Sequence, residues 1–145
     1  MIIAQNPEIQ ADPAKRPRVT RVSVVIHTPK RTGQPCPWSL WLQSEHISFV
    51  FELIQETQHP IILPPETMKQ SREVIDCGGF PDRDFELGIE LIASRPRDAN
   101  VGSDTQEWVL GCLAQLTSRC SMELLSGVDT ILGTKRTERP LGHEP

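Results

Sequence analysis

Residues 103–126, SDTQEWVLGCLAQLTSRCSMELLS, constrain the fold of this chain more than any other stretch. Trp108, Cys112, Leu116, Cys120 and Leu124 recur every four residues, and Val109 and Leu113 widen the same stripe. That spacing predicts an amphipathic helix over about 104–126. Ser103 or Asp104 is placed to cap it, with Gln106 or Glu107 three residues on. Glu107 suits the positive end of the helix dipole, and Gly127 suits a left-handed C-terminal cap. A helix with one apolar stripe must lie on another apolar surface. The rest of the chain is therefore searched for a sheet that receives it.

Val19–Thr28, VTRVSVVIHT, alternates Val22, Val24 and Ile26 on one face with Arg21, Ser23, Val25 and His27 on the other. Its β-branched content predicts a strand. Residues 29–37 then form a loop punctuated by Gly33, Pro35 and Pro37. In 38–54, Trp38, Leu40 and Leu42 alternate, and so do Ile47, Phe49, Phe51 and Leu53. Two strands joined near 44–46 satisfy both runs, and a single helix from about 39 to 55 is the alternative. The aromatic and β-branched content favours the strands. Residues 60–63 read as a short strand and 66–75 as a short helix with Met68 and Ile75 inward, ended by Cys77-Gly-Gly-Phe-Pro. Residues 84–94, DFELGIELIAS, alternate Phe85, Leu87, Ile89 and Leu91 with polar partners, which predicts a half-buried strand. Residues 95–102 read as a polar loop. Residues 128–132 form an apolar patch under the helix end.

The expected fold is α+β: a small, mostly antiparallel β-sheet of four or five strands, with one face packed by the long C-terminal helix. The expected organisation is a flexible N-terminal arm at 1–17, a single domain at 18–132, and a flexible C-terminal tail at 133–145. The 145 residues suffice for one core, and the 13 prolines suit an arm and long loops.

No run of eighteen apolar residues occurs, so no transmembrane helix is expected. The first residues lack the pattern of a secretory signal, which leads to an expectation of a cytoplasmic protein, with peripheral membrane association as an option. Cys36, Cys77, Cys112 and Cys120 are widely separated and are expected to be reduced.

No catalytic, cofactor or metal motif is expected. The cysteines lack C-x-x-C spacing, and His27, His46, His59 and His143 lack H-x-x-x-H spacing. Cys112 and Cys120 fall on the apolar stripe and suit a core; eight helical residues apart, they cannot bridge each other. Cys77, before two glycines, is the candidate reactive thiol, although no base beside it is identified. Glu86 and Glu90 share one strand face, where a solvated surface explains them better than acid–base chemistry does. Trp38 and Trp41 are expected to face opposite sides, so that Trp41 is available to a partner.

Charge supplies the remaining signal. The net charge is −4, yet residues 13–44 hold six bases and no acid: Lys15, Arg16, Arg18, Arg21, Lys30 and Arg31. A basic segment on an acidic body points to a polyanion. The functional expectation is a non-enzymatic assembly protein that forms a homo-oligomer and contacts an anionic membrane or nucleic acid through residues 13–31. Lys15, Arg16, Arg18, Arg21, Lys30, Arg31 and Trp41 are the candidate contacts. Viral matrix and coat proteins share such an architecture by analogy. The alternatives are a small cysteine-dependent or redox-sensitive enzyme using Cys77, and a peptide-binding adaptor that uses a sheet edge.

Overall fold

The computed structural model describes residues 19–54, 58–97 and 105–141, without the side chains of 68–70. It is an α+β fold with a six-stranded antiparallel sheet and three helices. The strands are β1 (Val19–Ile26), β2 (Trp38–Gln43), β3 (Ser48–Glu52), β4 (Ile61–Leu63), β5 (Glu73–Pro81) and β6 (Glu123–Leu124). The helices are α1 (Phe85–Ala93), α2 (Thr105–Arg119) and α3 (Val128–Thr137). The sheet order is β4-β3-β2-β1-β5-β6. β1 is central, paired with β2 on one side and β5 on the other.

The meander β1–β2–β3–β4 follows the alternation of its sequence. Ser44 closes the β2–β3 turn, donating from its amide to the Ile47 carbonyl at 2.8 Å. Trp38–Ile54 is thus a hairpin rather than a helix. Successive side chains point to opposite faces. Val22, Val24, Ile26, Trp38, Leu40, Leu42 and Phe51 join one cluster, whereas Val25 and Val50 join a second with Trp41 and Leu63. The first cluster also takes Trp108, Val109, Cys112, Leu113 and Leu116 of α2, Ile92 of α1, and Val128 and Leu132 of α3. The start of α2 is tied to the start of β2. The Trp38 amide donates to Thr105 Oγ1 at 3.0 Å, and buried Gln106 donates through Nε2 to the Cys36 carbonyl at 2.9 Å.

Several expectations need correction. Residues 85–93 are a helix, not a strand. Phe85, Gly88, Ile89 and Ile92 lie at helical spacing i, i+3, i+4, i+7. The signal is masked because the core position at 88 holds a glycine. A Cβ there would meet Phe80 at 2.8 Å, so the helix approaches β5 as closely as it does only with glycine. Consequently Glu86 and Glu90 are exposed one turn apart on a helix.

Residues 66–75 also differ. A 3-10 turn, Pro65–Gln70, precedes β5, so buried Ile75 is a strand residue. The inward placement expected for Met68 lies outside the described side chains. Cys77-Gly-Gly-Phe-Pro is not a turn but the middle and end of β5. Gly78 sits at φ 134° beside a register shift at Val22/Ser23, and any Cβ on it would run into the Glu123 carbonyl of β6.

The helix expected over 104–126 stops at Arg119, and it is not the last one. Ser121 turns at φ 54°, after which the chain enters β6, leaving Leu124 exposed instead of on the stripe. Gly127 (φ 84°) caps the start of α3, which runs through residues 133–137 of the expected tail. The expected caps Ser103 and Asp104, the arm at 1–17, residues 98–102 of the expected loop, and residues 142–145 lie outside the described residues. No helix among the described residues is long and apolar enough to cross a membrane.

Candidate functional site

The basic candidates do not form one patch. Arg21 lies early in β1, on the face opposite the main core. It is exposed and approaches Asp76 of β5, with Nε 3.8 Å from the carboxylate. Lys30 and Arg31 lie past the other end of the strand, about 30 Å along an extended chain from Arg21. They sit in an exposed loop, residues 30–35, and neither makes an ion pair among the described residues. Lys15, Arg16 and Arg18 lie outside the described residues.

Trp38 and Trp41 do face opposite sides. Trp38 is fully buried in the main core, and Trp41 is half-buried against Val25 and Val50. The indole Nε1 of each is buried without a hydrogen-bond partner among the described residues. Beside Trp41's cluster, His27 Nε2 lies 2.8 Å from Ser39 Oγ, and the His27 amide donates to the Pro37 carbonyl at 2.9 Å. Burial pulls the His27 pKa below its ordinary value, against the opposing pull of the Glu52 carboxylate. A serine, a histidine and a carboxylate thus gather on this face. Ser39 is fully buried, however, and a nucleophile must be reached by its substrate.

Cys77 does not have the surroundings of a reactive thiol. It is fully buried in β5, its Sγ donates to the Ile75 carbonyl at 3.5 Å, and burial pushes its pKa to about 11. Cys112 is likewise buried and pushed to about 12. All four cysteines are free and buried. Among the described residues, no group of three or more His, Cys, Asp or Glu side chains is gathered to hold a metal.

The sheet edges bear on peptide recognition. β4 has three residues and is bracketed by Pro60 and by Pro64-Pro65, while β6 has two residues. Short strands flanked by proline are poor templates for strand addition.

Two basic residues near the 30–35 loop escape a local reading. The Arg72 amide donates to the Ile26 carbonyl at 2.8 Å, which brings Arg72 to the end of β1. The Gly33 amide donates to the Pro140 carbonyl at 3.4 Å, which brings Arg139 to the loop. Both side chains are exposed. No sequence spacing signals this meeting, because tertiary pairing alone creates it. Compared with known proteins, the chain matches no family model, no curated protein and no solved structure.

Proposed function

We propose that the protein is a non-enzymatic interaction and assembly protein that self-associates and contacts an anionic partner, a membrane surface or a nucleic acid, through its basic N-terminal segment. The observation that carries this reading is the run of six bases without an acid in 13–44, whose described members Arg21, Lys30 and Arg31 are all exposed. Exposed cations attract phosphates in a salt-dependent way; Lys30 and Arg31 make no ion pair among the described residues, and Arg21 stands beside Asp76. In the same reading α2 covers one face of the sheet, and a second copy of the chain meets the exposed apolar residues Leu124, Leu125 and Ile131. The buried state of Cys77 favours this over a thiol enzyme, and the proline-flanked edges favour it over a strand-adding adaptor.

The test replaces Lys15, Arg16, Arg18 and Arg21 by alanine. Binding to anionic vesicles and to nucleic acid should weaken, with a flatter salt dependence, while the melting curve stays put. Undiminished binding of both ligands by the variant would refute the role of the arm. A sizing measurement on the parent over a range of concentrations checks self-association, and a monomer throughout would remove that part of the proposal.

A further inference from the structure

We infer that the end of the molecule formed by the 30–35 loop, Arg72 and the residues after α3 is a docking surface for an anionic lipid bilayer. This rests on the anionic-partner reading above and names both the surface and the partner. Five basic side chains converge there besides Lys30. The Arg72 amide is bonded to the Ile26 carbonyl, Lys135 binds Glu73, the residue after Arg72, and Arg31 shares its loop with Gly33, which is bonded to Pro140, the residue after Arg139. Arg136 follows Lys135 in the last turn of α3.

Three carboxylates near this end are taken up internally. Lys135 Nζ binds Glu73 at 2.8 Å and Glu138 at 3.3 Å, and Arg136 binds Glu107 at 3.0 Å. Lys30, Arg31, Arg72 and Arg139 are left exposed, and none is in an ion pair among the described residues. Arg139 spends Nη1 on the Arg136 and Glu138 carbonyls, closing the end of α3 with its charge outward.

Two observations choose the bilayer over a nucleic acid. Leu141, two residues beyond Arg139, is 77% exposed, the most exposed of the large apolar side chains described. An apolar side chain beside a basic cluster suits a surface that offers both phosphates and acyl chains. Conversely, no Phe or Trp side chain among the described residues is exposed, so none of these offers the face on which unpaired bases stack.

The experiment is vesicle co-sedimentation of the full chain, using phosphatidylcholine alone and phosphatidylcholine with about one third phosphatidylserine, at low and high salt. A single-stranded oligonucleotide is the parallel ligand. The parent should bind the anionic vesicles, and lose them as salt rises. The variant K30Q/R31Q/R72Q should bind them on the order of a hundredfold more weakly, at about fivefold per cation. It spares Arg139, whose loss could fray α3. Leu141→Gln should weaken vesicle binding without changing its salt slope. A control, R83Q/R119Q, should bind as the parent does.

If K30Q/R31Q/R72Q binds like the parent while the arm variant does not, this docking surface is refuted and the arm reading survives. A parent that binds neither ligand refutes both. A parent that takes the oligonucleotide in preference to the vesicles overturns the choice of partner.

Discussion

On one face of the sheet, Val22, Val24 and Ile26 of β1 lie beside Trp38, Leu40 and Leu42 of β2, and helix residues complete the packing. On the other, the same two strands present Arg21, Ser23, Val25, Ser39 and Trp41, with His27 just past the end of β1. The first face excludes water with large side chains. The second is buried at its centre by small ones, with Val25 and Val50 under Trp41 and with Ser23 and Ser39 held out of solvent. Both faces therefore hide backbone from water, but they differ in what a substitution removes. The core face loses dispersion and apolar burial, and the outer face loses polar arrangement.

The comparison breaks most decisively at Leu116, which is fully buried in α2. Leu116→Asp places a carboxylate in the main core and should cost roughly 4 kcal/mol or more, abolishing a cooperative thermal transition. An unchanged melt would mean that the α2 stripe is not core. The two tryptophans sharpen the contrast next. Trp38→Ala should cost about 3–5 kcal/mol and Trp41→Ala about half as much, read from urea midpoints. Equal losses would show that the outer face is packed as a core is.

His27 gives a smaller effect with a defined sign. Its folded-state pKa is lowered chiefly by burial, so the unfolded chain binds the proton more readily. The neutral ring stabilises the fold above about pH 6.5, and that contribution is lost as pH falls toward the lower folded value. His27→Asn should flatten the stability profile across this window, measured by denaturant titration at several pH values. A parent profile already flat below pH 6.5 would contradict the burial of the ring. Arg21→Ala should do least. The Arg21–Asp76 pair is exposed, so stability should change by no more than about 0.5 kcal/mol, even if ligand binding falls.

The elements legible in the sequence were those whose apolar period matched their structure. β1 and the β2–β3 hairpin alternate cleanly, and Trp108 to Leu116 keep a helical stripe. α1 was illegible because Phe85, Leu87, Ile89 and Leu91 fit a period of two, while the helical position 88 holds a glycine without apolar signal. β5 was illegible because Gly78 and Gly79 read as a turn locally, although they serve the close approach of β6 and β1. The extent of α2 was overread because Leu124 continued the four-residue repeat past its physical end. Of the candidate contacts, Lys30 and Arg31 were visible as charges in a loop. Arg72 and Arg139 were not, since backbone bonds between distant segments, Arg72 to Ile26 and Gly33 to Pro140, bring them to this end.

The central place of β1 has a kinetic consequence. Its β2 partner follows after one loop, but its β5 partner arrives only after everything between Ile26 and Glu73. The longer closure costs about 1 kcal/mol more in chain entropy, at roughly 0.6 kcal/mol per doubling of length. During synthesis the segment VSVVI, residues 22–26, therefore waits with one hydrogen-bonding edge bare. Such an uncharged, β-branched edge is a template for other chains. Fragments ending at residue 64 and at residue 81 both lack the helices that cover the core face, so both should scatter light, but the shorter should scatter more at equal concentration because only the longer carries β5 to close that edge.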